Sequence, residues 1–298
     1  MHDNLFQFKE QLLPPLLPKG RVLVSTTMVP SSRGILHFSN FSVIRKDPFG
    51  LMKAQQTFST PQKITILPKR YKVPYLELSG NPRYQPGGIA LASSIGESEE
   101  VVSLREYRQG DPIRHIHWKS WAKLGKPIIK EFQNEYFVRH ALILDTFAGE
   151  TDASAFEEAV SLAASFACTL ETQESLLDLM FVGCKAYCFT IGRGLAHREQ
   201  MLEILASVKA APEKPFESLS QMIGQHAMGI SGCIAIFLDW DSQRKALIDV
   251  LKSRGIPTKV YVIKKPIEME RLRADLTEEE TAGLHFLETG QVQEGLDR

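Results

Sequence analysis

The chain has no apolar run near the ~20 residues that a bilayer-spanning helix requires. Its first twenty residues, MHDNLFQFKEQLLPPLLPKG, show neither the basic leader nor the unbroken apolar stretch of a secretory signal. Both absences lead to the expectation of a soluble chain. Cysteine is scarce: Cys168, Cys184, Cys188 and Cys233 lie in apolar runs without a CxxC pair, as in a reducing compartment. Charge of one sign is not in excess, with Lys+Arg and Asp+Glu at 35 each, so the whole molecule exerts no long-range pull on nucleic acid or anionic membrane. The common catalytic motifs are missing too. No GxxxxGK[ST] occurs, KLGKP has the wrong spacing, and there is no HExxH or GxSxG. Gly192-Arg193-Gly194 lacks the third glycine of a dinucleotide fingerprint, and Cys184 and Cys188 read as packing residues. Nothing marks a nucleophile beside an activating base, so the expectation is a protein that is not an enzyme.

What is present is ordinary globular composition, 43% hydrophobic and 23% charged, in 298 residues. That length accommodates two domains. Residues 1–70 read as a small antiparallel β domain. RVLVSTTMV, GILHFSNFSVI and KITILP are rich in β-branched and aromatic residues. Leu36 and Phe38 alternate with polar neighbours, and Phe41 and Val43 resume after a slip of one, which predicts a bulge. Asp47-Pro48-Phe49-Gly50 has the residues of a type I turn. Residues 71–103 read as a long loop broken by proline, glycine and serine.

From residue 136 the rhythm changes to alternating strands and helices, which predicts a doubly wound, Rossmann-like α/β domain over 136–264. HALILD and CIAIFLD read as doubly buried strands, LLDLMFV and KAYCFTI as a tightly joined pair. Asp152–Gln173 carries a stripe of period 3.6, and helices are expected near 197–209, 216–226 and 242–253. Residues 265–298 read as a charged, weakly patterned tail.

Between these halves, residues 104–135 hold the strongest local signal, LREYRQGDPIRHIHWKSWAKLGKPIIKEF. Arg105, Arg108, Arg114, Lys119, Lys123, Lys126 and Lys130 outweigh Glu106 and Asp111, and they interleave with Tyr107, Trp118 and Trp121. That composition suits a nucleic-acid grip. The local grammar also suits a folded clasp. Asp111 and Pro112 read as the N-cap and first residue of a helix, and Gly125 as its stop. Ile113, Ile116, Leu124 and the tryptophans would dock it, and Arg108, Asp111 and Arg114 would form an ion cluster beneath. His115 and His117 point different ways on such a helix, which disfavours a shared metal.

A second candidate lies beyond the carboxyl ends of the α/β strands, where such sheets bind ligands. Asp145 and Asp239 end two strands, with Asp241 close by, and could hold Mg²⁺. The plainer reading makes Asp152 and Asp241 helix caps and Asp145 and Asp239 loop braces.

RGILHFSNFSVIRKDPFGL followed by the segment quoted above resembles the hallmark of domain-of-unknown-function family fifty-eight. The resemblance runs from about residue 16 to about residue 263. It implies that 136–264 is a von Willebrand A-like domain. It also implies a partner rather than a reaction: a MoxR-type AAA+ ATPase, acting in chaperone-like assembly or maturation of other proteins. Arg105, Tyr107, Arg108, Gly110, Asp111, Arg114, His117, Trp118 and Lys119 would then serve architecture or partner docking. Most members look anchored by two transmembrane helices ahead of the β domain. This chain shows none, which leaves a cytoplasmic location and inner-membrane association both open. Metal-binding domains of that class carry DxSxS, whereas Asp145-Thr146-Phe147-Ala148-Gly149 replaces both serines here. No cofactor is expected, and Asp145 and Asp239 remain weak candidates for a metal.

Overall fold

A computed structural model of the chain describes residues 6–7, 13, 21–25, 27, 29–47, 49, 51–74, 83–84, 101–109, 111, 113, 116–132, 136–149, 152–170, 175–191, 195–277, 280–281 and 283–297. Most of the expected 71–103 loop, the Gly192–Gly194 run, Gly110, Pro112, Arg114 and His115 lie outside them.

Near the start, β1 (Phe6–Gln7) pairs antiparallel with β2 (Val29–Pro30). The long strands β3 (Gly34–Lys46) and β4 (Lys53–Ile66) form an antiparallel ribbon whose register shifts between Phe38 and Asn40. The bulge thus falls where the alternation slips. The extra residue lies on β4, where Thr60 and Pro61 stand opposite Ser39, and Phe41 stacks on Phe58 across the strands at 5.0 Å. Most of the ribbon is exposed, Phe41 and Phe58 included. Among the described residues the expected β domain is therefore a two-stranded arm without a core of its own. RVLV, read as a strand, carries no strand at 21–25.

After β5 (Arg83–Tyr84), β6 (Val101–Glu106) pairs antiparallel with β7 (Ile128–Phe132). A short helix, α1 (Trp118–Leu124), lies between them. Next come β8 (Tyr136–Leu144), α2 (Ala153–Leu170), β9 (Ser175–Val182), β10 (Ala186–Ile191), α3 (Leu195–Ser207) and α4 (Glu217–His226). The chain closes with β11 (Gly232–Phe237), α5 (Ser242–Ser253), β12 (Thr258–Lys264), α6 (Pro266–Asp275), β13 (Leu284–Glu288) and α7 (Val292–Leu296).

The main sheet has the order β10-β9-β8-β11-β12-β13. All neighbours are parallel except the β9–β10 hairpin, and β5 adds an antiparallel contact at the start of β8. Side chains alternate between its two faces as the two-residue period of a strand dictates. Leu142, Leu144, Leu179, Ile234 and Ile236 meet α2, α3 and α7 on one side. Ala141, Ile143, Met180, Ala235 and Phe237 meet α4 and α5 on the other. Leu142, Ile143 and Leu144 have no exposed surface, each burial contributing roughly 1.5–3 kcal/mol. Alanines 159, 163 and 167 let α2 approach the strands closely, and Phe166 meets Tyr261 at 5.1 Å.

Residues 265–298 correct the expectation of a loose charged tail. β13 pairs in register with β12, Val262 opposite Phe286, and Leu287, Val292 and Leu296 join the core. The exposed side of α6 and the edge position of β13 supply the charge that masked this pattern.

Candidate functional site

The sheet switches direction between β8 and β11, because β9 lies on one side of β8 and β11 on the other. Such a switch point opens a crevice beyond the strand ends. Here a cavity of ≈ 450 Å³ is lined by residues that include Phe147, Asp152, Lys214, Phe216, Asp239 and Arg244.

Asp145, just past β8, is fully buried at the base of this crevice. Its Oδ1 accepts from the Phe147 amide at 2.9 Å. Its Oδ2 accepts from the Leu238 amide at 3.1 Å and from Arg244 Nε at 2.8 Å, with Arg244 Nη2 at 2.7 Å. Three hydrogen bonds and the Nη2 ion-pair contact thus satisfy the buried carboxylate, with Oδ2 taking most of them. Asp241 caps α5 by accepting from the Arg244 amide at 2.9 Å, and it also takes Arg244 Nη1 at 2.6 Å. The Arg244 guanidinium thus bridges the two aspartates while lying over the Phe216 ring at 4.9 Å. Burial is the largest single influence and works to lower its pKa, but the charge and hydrogen bond of Asp145 together with the charges of Asp241 and Asp239 outweigh it and raise the pKa.

Asp239 does not join this cluster. It sits half-exposed, 3.3 Å from Lys264 Nζ, and accepts from the Trp240 amide at 2.8 Å. Asp145 and Asp241 therefore brace and cap as the plainer reading had it, and the two strand-end carboxylates do not converge on one point. Among the described residues no group of three His, Cys, Asp or Glu side chains is placed to hold a metal. Sequence reasoning missed Arg244. Its only local signal is the Asp241-x-x-Arg244 spacing, since its main partner is 99 residues away.

The signature segment folds as a β6–β7 hairpin with α1 inserted. Tyr107 N donates to Pro127 O at 2.9 Å, His117 N to Ile128 O at 2.8 Å, and Ile116 bridges to Ile129. Ile116, Ile128 and Ile129 are buried. Ile113 lies in a 3₁₀ turn two residues after Asp111, and Pro112, expected as the first helical residue, lies outside the described residues. Ile116 then bridges to β7, so the expected helix is not continuous from there to Gly125. The Asp111 carboxylate is clamped by both guanidinium nitrogens of Arg105, at 2.7 and 2.9 Å, and by the Arg108 amide at 2.8 Å. Those bonds hold it well below the usual carboxylate range, at about 2. The α-helix itself begins at Trp118, after His117, whose Nδ1 lies 2.6 Å from Ser120 Oγ. Gly125 stops it at φ +68, donating to Trp121 O.

Of the expected docking residues only Ile116, ahead of the helix, is buried, and Trp121 is half-buried. None of the helix's own residues is buried. Trp118 and Leu124 are each 62% exposed and Ile113 67%, and Trp118 stacks on the half-buried Trp121 at 5.2 Å. The basic residues divide. Arg105 holds Asp111 and Lys126 holds Glu106 at 3.1 Å, whereas Lys119 and Lys123 lie exposed on the helix.

A further anchor escaped the sequence reading. Arg33 inserts against the carboxyl end of α3, with Nε 3.1 Å from Leu205 O and Nη2 2.6 Å from Val208 O. It also pairs with Glu157 and lies over Phe156. A cation suits the exposed carbonyls of a helix end. Gly34 follows at φ +148, a conformation that other residues rarely adopt. The Arg-Gly pair thus fixes the base of the ribbon to the α/β layer. Beyond β4 the chain stays on that layer, with the Tyr71 amide donating to Ser165 Oγ and Lys72 exchanging bonds with Gln293.

Fold and site together define a mixed α/β protein with a self-paired strand-end cluster and an exposed hairpin-borne helix. Residues 103–259, more than half of the chain, match the family described as "Protein of unknown function DUF58". The chain belongs to that family. It is 27% identical over 190 residues to "Uncharacterized protein YeaD" of Bacillus subtilis (strain 168), a match covering 63% of this chain and 46% of the relative. The chain therefore spans about half the length of that relative. The crystal structure of an aerotolerance-related membrane protein from Bacteroides fragilis NCTC 9343, with multiple mutations to serines, aligns with a TM-score of 0.33 and 12% identity. That alignment covers 54% of this chain and 94% of the other.

Proposed function

We propose that this chain is a non-enzymatic interaction protein that works with a MoxR-type AAA+ ATPase in the assembly or maturation of other proteins. The observation that carries this reading is the signature helix. His117, just ahead of it, is bonded to β7, yet Trp118 and Leu124 of the helix, and Ile113 before it, are exposed. An exposed tryptophan on a rigid support is the usual anchor of a protein interface. In this reading the α/β half is a degenerate von Willebrand A-like domain, and the cation at its strand ends is the protein's own. Arg244 takes up Asp145 Oδ2 and the Phe147 amide takes Oδ1, the oxygens a divalent ion would need, and Phe147 packs on Phe216 at 5.4 Å. The chain then works in the cytoplasm, at the inner membrane where an anchor is supplied.

Purified ATPase should bind the immobilised chain in one nucleotide state more than in the other. Equal absence of binding with and without ATP overturns the partnership. Nucleic-acid binding through residues 105–130 is the alternative, but Arg105 and Lys126 are already paired within the hairpin. Such binding would fall steeply as salt rises, and a gel shift absent at low salt removes it.

A further inference from the structure

The tip of the β3–β4 ribbon is apolar where a hairpin loop is ordinarily polar. Phe49, Leu51 and Met52 are 85%, 85% and 76% exposed. The turn itself is well made: Asp47 accepts from the Phe49 and Met52 amides at 3.1 and 2.5 Å and donates its own amide to Met52 O at 3.1 Å. Asp47 is the ribbon's single acidic residue, and its carboxylate is spent on that turn. Around the tip stand Arg45, Lys46 and Lys53, all exposed. Lys46 and Lys53 are direct cross-strand partners. Like charges placed opposite one another weaken a hairpin, and the single Asp47 carboxylate offsets only part of the charge of Arg45, Lys46 and Lys53. The tip also stands clear of the core. Thirteen residues of β3 extend it roughly 40 Å from the Arg33 anchor at ~3.3 Å per residue.

We propose that the ribbon tip docks on an anionic phospholipid surface. Phe49, Leu51 and Met52 enter the interfacial layer, and Arg45, Lys46 and Lys53 face the headgroup phosphates. An apolar point with a basic collar has the charge and shape complementarity such a surface demands. The negative surface also answers the Lys46–Lys53 opposition, which Asp47 offsets only in part. This contact is peripheral, needs no spanning helix, and goes beyond the adaptor reading.

Co-sedimentation of the full 298-residue chain with vesicles tests it. The probes are pure phosphatidylcholine and phosphatidylcholine with about a third phosphatidylglycerol. The chain should partition onto the anionic vesicles and only weakly onto the neutral ones. Phe49→Ser/Leu51→Ser/Met52→Ser should lower partitioning by at least about tenfold, and Lys46→Ser/Lys53→Ser by a similar factor at low salt. Both variants should keep the parent's thermal midpoint, because the altered side chains touch nothing in the core. No sedimentation of the parent chain with anionic vesicles overturns the proposal, as does equal sedimentation of the tip variant. A dimer in analytical ultracentrifugation that the tip variant dissolves would also overturn it, by assigning the tip to a second copy of the chain.

Discussion

The α/β sheet and the hairpins beside it treat their apolar and charged groups in opposite ways. In the sheet, residues 141–144 of β8 and the apolar residues of β11 are buried, and the buried Asp145 and Asp178 each have an arginine partner. Arg244 holds Asp145, and Arg139 holds Asp178 at 2.6 and 2.9 Å while reaching Thr190. In the signature hairpin and the ribbon the backbone is equally well paired, yet Trp118, Leu124, Phe49 and Leu51 face outward. The sheet completes its own burial. The hairpins expend backbone order on holding apolar groups where the fold does not use them, and that is the mark of a surface built for something else.

The sharpest break of this contrast lies in the buried charges. Arg244→Leu strands the fully buried Asp145 without its cation, and urea unfolding should show a loss of about 3–5 kcal/mol. Adding Asp145→Asn to that variant should recover much of it, since the uncompensated charge disappears. Gly125→Ala comes next, because alanine at φ +68 costs roughly 1–2 kcal/mol. That loss should appear in thermal unfolding, with more rapid amide exchange around α1.

Asp111 gives a smaller effect with a defined pH window. Its folded pKa, at about 2, lies below the ordinary carboxylate value. Its stabilisation is therefore present above pH ~4 and is lost as pH falls through about 2. Asp111→Asn should be less stable than the parent at pH 7, and the difference should vanish towards pH 2. A difference that persists unchanged to pH 2 would show that the Arg105 clamp does not set the carboxyl's ionisation. The smallest stability effect is expected at the most conspicuous residue. Trp118→Ala should stay within ~0.5 kcal/mol of the parent, the range of a surface substitution.

These differences follow how the molecule could be read in one dimension. Local period revealed α2, β8, β11 and even the bulge after Phe38, because each is encoded by neighbours a few residues apart. The start of α1 was misread because Ile116 pairs with Ile129 across the hairpin, and nothing local in the sequence shows that pairing. Arg244 was passed over for the same reason: its partner lies on another strand. β13 was hidden by its edge position, where one side of LHFLE stays partly exposed and the alternation weakens. The candidate site was legible in its aspartates but not in the arginine that joins two of them.

The central claim is that the signature helix is a docking surface and not a structural buckle. Its most direct test measures ATPase binding and thermal midpoint on the same samples of the parent chain and of Trp118→Ala/Leu124→Ser. The account predicts an unchanged midpoint within about 2 °C and at least a tenfold loss of ATPase binding. A midpoint lowered by several degrees, or binding equal to that of the parent chain, would contradict it.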